Sequence, residues 1–509
     1  MKVLHRYHLL FASAFYLILF FVLLPLHQYI FDVDGTGYST VAKHLATGNL
    51  ERAVNGFWSP LHSWLIAPFV NTGISIQLLF FYSNAVISLI IIFLMSKLCI
   101  IFSIAEEWIT AILFILVILL LQFSFHELAA DILVLPFILG WLLLVLRKDF
   151  YKNEKIHIWC GVLVGFGFFA KTYVLPFLGF IHLILLAQHF YFKKQSTLKP
   201  LLFFLIPLLV ICVPWIATIS DKYGYFTIGN SSRLNLSWFL RGMTNENAFF
   251  HAPEYADSYS WWEDPSYYKG EVVNLFTSSN YFLKQIKVFL HNCIVFVKLL
   301  FNISFFAPLI IAGIFGIAIK EKDTIYRKLS IFLIIFPAGY LLTFVDSRYL
   351  WILNILLLPA GFVLLQTVLK KYPLKPLMKS IVFLVIFLSF VIYPVLELKQ
   401  NAFHPQWKQI HTVASWFKQY QISGNFTSNK KSPETMVVAY LSGARFFQLS
   451  NINVSTEQIA EAMDANNIPH FLFYFEKETK KQSVMTVMQQ RGYSIQQIEP
   501  GVLLFSKNK

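Results

Sequence analysis

The first long stretch of the chain, "LLFASAFYLILFFVLLPLHQYI" (residues 9–30), contains no Asp, Glu, Lys or Arg. In a bilayer ~20 apolar residues are what a helix needs to cross, and only a helix or a closed barrel satisfies its own backbone there. The pattern recurs. Apolar runs lie near 9–30, 76–96, 108–123, 130–146, 156–170, 173–192, 200–218, 303–319, 329–344, 349–369 and 380–396, about eleven spans. Composition agrees: of 509 residues, 57% are hydrophobic and 13% charged. We therefore expect a polytopic α-helical membrane protein. No small-residue cleavage site follows the first run, so it reads as a retained helix and not as a signal peptide.

The net charge of +14 invites the thought of nucleic acid. The basic residues instead gather in short loops between apolar runs: "RKDFYKNEK" (147–155), "KKQSTLK" (193–199), "KEKDTIYRK" (320–328) and "KKYPLKPLMK" (370–379). That is the positive-inside pattern, which sets orientation, so no nucleic-acid partner is expected. The N-terminus is then cytoplasmic and the C-terminal region extracytoplasmic. Cys99, Cys160, Cys212 and Cys293 lie in or beside apolar runs without metal-ligand spacing and read as small buried hydrophobes.

With that orientation the elaborate parts share one face. Residues 1–396 form a membrane domain whose outer loops are 31–75 and 219–302, and "YFLKQIKVFLHNCIVFVKLL" (281–300) reads as a helix lying along that face. Residues 397–509 read as a small extracytoplasmic α/β domain. In it "QWKQIHTVASWFKQY" and "STEQIAEAMDANN" are expected helices, and "ETMVVAYL", "PHFLFYF" and "PGVLLFS" expected strands. It carries no phosphate-binding glycine loop.

Ionisable groups at membrane depth are expensive and therefore candidates for function. On the outer face the acids include Asp32 and Asp34 directly after the first span, and Glu127 and Asp131 in "SFHELAAD". A helix-start Asp also caps backbone N–H groups, which is the plainer role. Lys171, in "FFAKTYVLP", and Arg348, in "DSRYLW", are exceptions to the charge rule and suit an anion at the membrane surface. Snorkelling, or for Arg348 a local pair with Asp346, is the plainer alternative. Tyr38, Trp58, Trp261 and Trp262 offer flat faces for a sugar, though interfacial anchoring is commoner for tryptophan. His62 and His251 could join a carboxylate at a metal, without a supporting spacing.

These segments, taken in order, resemble the GT-C glycosyltransferases, in particular the group of dolichyl-phosphate-mannose protein mannosyltransferases and the bacterial lipid A aminoarabinose transferase. The resemblance rests on "DGTGYSTVAKHLATGNL" (34–50), "FWSPLHSWLIAPF" (57–69), "HELAADILVLPF" (126–137), "GVLVGFGFFAKTYVLPF" (161–177), "VPWIATISDKYGYF" (213–226) and "DSRYLW" (346–351). Gly35 follows Asp34 where the protein mannosyltransferases have a second acid. The resemblance implies a GT-C membrane fold and an inverting transfer of a sugar from a polyprenyl-phosphate donor to a lipid, glycan or protein acceptor. Asp34 would be the base, Glu127 and Asp131 would position the acceptor or a divalent metal ion, and Arg348 and Lys171 would hold the donor phosphate. Tyr38, Trp58, Trp261 and Trp262 would touch the sugar. No covalent cofactor is expected, and the expected location is a bacterial inner membrane. A transporter or flippase of lipid-linked sugars is the rival, but it calls for broken helices and ionisable groups near mid-bilayer.

Overall fold

The computed structural model describes residues 2–242, 248–268, 272–273, 279–320, 324–372, 374–430, 433–451 and 453–507. Parts of the 219–302 loop and of two basic loops, at 321–323 and 373, lie outside the described residues.

Among the described residues nine helices are long and apolar enough to cross a membrane, and Asp131–Val145 and Ala307–Lys320 are shorter apolar helices. Two details differ from the sequence reading. Glu154–Ala170 is a helix of 17 residues that falls outside both groups, with Glu154 and Lys155 in its first turn. Ser279–Ile303 is one continuous helix of 25 residues, and its stretch from Asn280 is one of the nine. Its polar residues interrupt the apolar run, yet Gln285 and Asn292, seven apart, share a helix face. Both donate to carbonyls that end a neighbouring helix: Gln285 to Leu342 (2.5 Å), Asn292 to Leu341 (3.0 Å) and Thr343 (3.1 Å).

The bundle packs closely where glycine permits. A Cβ on Gly161 would lie 2.2 Å from the Phe204 carbonyl, so Glu154–Ala170 can only approach Leu198–Tyr223 this closely with glycine there. One buried apolar core runs from Ala12 in the first helix through the bundle into the tail domain, as far as Leu504, and a second, with Met463, Phe473 and Phe505, lies within the tail.

The tail follows helix Pro376–Ala402, which runs past the expected boundary at 396. Numbering strands along the chain, β1 is Phe250–His251, β2 Asn425–Ser428, β3 Arg445–Phe446, β4 Gln448–Leu449, β5 His470–Tyr474, β6 Tyr493–Glu499 and β7 Val502–Lys507. One mixed sheet has the order β3-β2-β5-β7-β6, with β2 parallel to β3 and β5 and the remaining pairs antiparallel. Helices Pro405–Gln419 and Thr456–Ala465 form as expected, the second behind a Ser455–Gln458 capping box. "ETMVVAYL" is not a strand; it lies in helix Pro433–Ser442. A short apolar run cannot be assigned by periodicity alone. Here Pro433 at the first helical position, Glu434 in the first turn and Gly443 at φ +80° just beyond the end are the local start and stop signals.

Two contacts set the tail beside the outer loops. Tyr440 of Pro433–Ser442 lies 5.4 Å from Tyr259 and 5.3 Å from Phe31, stacked on the latter, with Lys43 over its ring at 4.0 Å. β1, from the long loop, pairs antiparallel with β4 of the tail.

Candidate active site

Asp34 lies in the first turn of helix Val33–Ala46, with Asp32 as its N-cap. The Asp32 carboxylate accepts from the backbone N–H groups of Asp34 (3.1 Å), Gly35 (3.3 Å) and, across the chain, Leu128 (2.7 Å). This is the plain capping role, extended so that one side chain holds two loops in register. Asp34, freed from capping, turns into the interior.

Arg348 opens the short turn that leads into helix Trp351–Lys371. The local pair with Asp346 does not capture its guanidinium: Asp346 accepts the Arg348 backbone N–H instead, at 3.1 Å. The guanidinium donates to Asp34 at 2.8 Å across 314 residues of sequence, donates also to Glu127, and has Asp131 at 3.6 Å. Asp131, the first residue of its helix, accepts from Lys171, which follows the last residue of Glu154–Ala170. Lys171 stands 3.8 Å over the Tyr349 ring. Four helix ends thus deliver three carboxylates and two cations to one place. Each charge has an opposite partner, as burial requires, since a buried ion stripped of its partner costs about 3–5 kcal/mol.

Protonation is uneven across the cluster. Burial, with Asp32 and Asp34 beside it, pushes the Glu127 carboxyl up to about 8 against the pull of Arg348 and His126. His126 goes the other way: burial would lower it, but Glu397 at 3.0 Å and Glu127 at 3.8 Å hold it up, at about 9. Burial raises the Tyr38 phenol well above its usual range, so it stays a hydrogen-bond donor.

The cluster borders two cavities. The larger, about 630 Å³, is lined by Asp34, Asp131, Lys171 and Arg348 and by apolar residues such as Phe177, Leu342 and Phe344. Tyr38, Trp58 and Trp262 line it too. The rings of Tyr38 and Trp58 are 5.2 Å apart, and Trp58 donates its Nε1–H to the Trp262 carbonyl at 3.2 Å. Gly37 is required here, because a Cβ would meet the Trp58 ring at 2.2 Å. A smaller cavity of about 260 Å³ also touches Asp34 and Arg348, with Asp32, Glu127 and tail residues as its other walls.

Of the expected residues, Glu127 faces the smaller cavity only, and Trp261 faces neither. Trp261 lines a separate hollow with Tyr267 and Tyr268 and donates to Gln448 of the tail at 2.9 Å. Residues that the sequence reading passed over also line the larger cavity: Arg233, Gln285, Tyr340 and Tyr349. For Arg233 the signal was present, a cation in an outer loop, as for Arg348.

Asp32, Asp34 and Glu127 have oxygens within 4.8 Å of one another, the spacing of a cation site. The set does not fit an added ion as it stands: the Arg348 guanidinium already bridges Asp34 and Glu127, and Asp32 is committed to backbone N–H groups. His62 and His251 are not part of this group.

No protein-family model and no curated protein sequence matches the chain. Among solved structures it superposes on the crystal structure of ArnT from Cupriavidus metallidurans bound to undecaprenyl phosphate. The TM-score is 0.57 at 11% identity, covering 98% of this chain and 97% of that one. Against the same protein in the apo state the TM-score is 0.53 at 10% identity, covering 97% and 98%. At such identity the likeness concerns architecture, but it runs almost end to end. The chain is an integral membrane protein that shares the overall fold of these ArnT structures.

Proposed function

We propose that the protein is a membrane glycosyltransferase that moves a sugar from a polyprenyl-phosphate donor to an acceptor bearing a hydroxyl or amine, with inversion at the anomeric carbon. One observation carries the reading: Asp34 and Arg348 meet at 2.8 Å on the wall of a cavity lined by charged side chains together with many apolar ones. A carboxylate there can take a proton, a guanidinium can hold two phosphate oxygens, and the apolar walls suit a lipid chain. The solved structure with this fold that holds undecaprenyl phosphate supports the donor class.

In the reaction the acceptor oxygen or nitrogen attacks the anomeric carbon as its proton passes to the Asp34 carboxylate. The bond from the anomeric carbon to the phosphate oxygen breaks, and its electron pair leaves with the phosphate. The donor is a phosphodiester and the product a phosphate monoester, so negative charge grows on the leaving group. Arg348 and Lys171 meet that charge. Glu127, protonated at neutral pH, adds none of its own. Asp131 holds Lys171 in place, and Tyr38, Trp58 and Trp262 shape the sugar's end of the cavity. The site lies on the extracytoplasmic face of a bacterial inner membrane, with the N-terminus cytoplasmic and the tail domain, 397–509, outside. A carrier is less well supported, because the charges sit at helix ends and not midway along the spans.

The test is donor-product binding and turnover together. Undecaprenyl phosphate should raise the unfolding temperature of the purified protein, as any ligand of the folded state does. Asp34→Ala should keep a folded protein while transfer from a polyprenyl-phosphate-sugar falls by ~10²–10⁴. Transfer by Asp34→Ala at the wild-type rate would remove the base.

A further inference from the structure

The two cavities share Asp34 and Arg348 but differ in everything else. The larger has Lys171 and apolar walls; the smaller is ringed by Asp32, Asp34, Glu127 and Glu434, with Arg348 the basic residue on its wall. Its far side comes from the tail: Gln406 and Trp407 near the start of helix Pro405–Gln419, and Glu434 in the first turn of Pro433–Ser442. Building on the function proposed above, we infer that the smaller cavity is the acceptor site and that it takes a neutral, hydroxyl-rich group, one sugar ring of a glycan.

Three observations support this. At about 260 Å³ the space falls just below the ~300–1,000 Å³ of pockets that engulf drug-sized ligands, so it suits one small polar group and not a lipid chain. Asp34 and Glu434 on its walls oppose a phosphate, which therefore belongs on the Lys171 side, and carboxyl oxygens accept hydrogen bonds from hydroxyls. Trp407 supplies an apolar face beside these acceptors, as sugar rings require. An acceptor held here meets Asp34 from one side while the anomeric carbon meets it from the other, the approach to about 3–3.5 Å that a displacement needs.

Two variants of the full-length protein test this, each read by the undecaprenyl-phosphate thermal shift and by mass spectrometry of glycolipids and glycans in cells. Gln406→Trp fills the cavity from its rim. It should keep the wild-type thermal shift while product falls below about a tenth of wild type, the result of overfilling a small space. Glu434→Gln removes one charge from the wall and should keep the wild-type thermal shift while product falls several-fold, about the loss of a charged hydrogen bond. Wild-type product from Gln406→Trp, or loss of its thermal shift, overturns the assignment. A new linkage to a phosphate or to an amino-acid side chain overturns the sugar class. Absence of any thermal shift in the wild type is a different failure, that of the donor reading underneath.

Discussion

A lysine from elsewhere in the chain meets each end of helix Asp131–Val145, and the two ends behave differently. At its start Lys171 reaches Asp131, with Arg348, Asp34 and Glu127 around it and a cavity of about 630 Å³ in front. At its end Lys328 donates to the Val145 carbonyl at 2.6 Å and rests over the rings of Phe150 (4.6 Å) and Tyr151 (4.8 Å). Beside it His157 and His182 hydrogen-bond each other at 3.2 Å, and His182 stacks on Phe204 at 4.0 Å. None of these groups borders either cavity at the other end of the helix. Burial of a charge is therefore a weak sign of chemistry by itself. Its partners and its access to open space separate a reacting end from a packed one: carbonyls and ring faces hold Lys328, while carboxylates that can exchange partners with a ligand hold Arg348.

The contrast breaks first at the base. Asp34→Asn keeps the shape and a contact to Arg348 but cannot take a proton, so transfer should fall by ~10²–10⁴ while the undecaprenyl-phosphate thermal shift persists. Arg348→Lys comes next. Lysine is a point charge and cannot bridge Asp34 and Glu127 together, so a loss of ~10²-fold is expected, with a reduced thermal shift. A variant that keeps the full shift and loses only turnover would move Arg348 from phosphate binding to positioning Asp34.

Much of this cluster was legible in the sequence because membranes make charge scarce. Asp34, Glu127, Asp131, Lys171 and Arg348 each stood out against apolar surroundings, and orientation put them on one face. Their pairing was not legible. Nothing local says that Arg348 passes over Asp346, two residues away, to reach Asp34, 314 residues away; that follows from how four helix ends pack. The tail shows the opposite limit. Its helices with capping signals were readable, whereas "ETMVVAYL" was misread because its apolar run outweighed the Pro433 and Gly443 that bound it. Trp261 failed for a further reason: an aromatic pair in a loop does not say which ring faces the cavity and which, bonded to Gln448, ties the loop to the tail.

Glu127 sharpens the comparison through pH. Its carboxyl is held near 8 by burial, so it is mostly protonated at pH 7 and ionises as pH rises through about 8. A new negative charge then binds Arg348 and competes with the donor phosphate. Transfer by the wild type should decline above about pH 8, and Glu127→Gln, which cannot ionise, should lose that decline while keeping activity within a few-fold at pH 7. Stability follows the same sign. The folded state keeps a proton that the unfolded chain releases near its ordinary ~4.3, so the contribution present below that value is lost as pH climbs toward about 8. An unchanged alkaline decline in Glu127→Gln would assign the limb to another group.

The smallest effect is expected at the packed end. Lys328→Met keeps most of the side chain's length and apolar contact with Phe150 and Tyr151, and removes one hydrogen bond to the Val145 carbonyl. The stability cost should be about 1 kcal/mol, read as a small fall in unfolding temperature. Transfer should stay within about two-fold, because no reacting group touches this end. If Lys328→Met instead lowered transfer as far as Arg348→Lys, the two ends of Asp131–Val145 would be coupled through the helix. Access to a cavity would then no longer be what divides a reacting charge from a packed one.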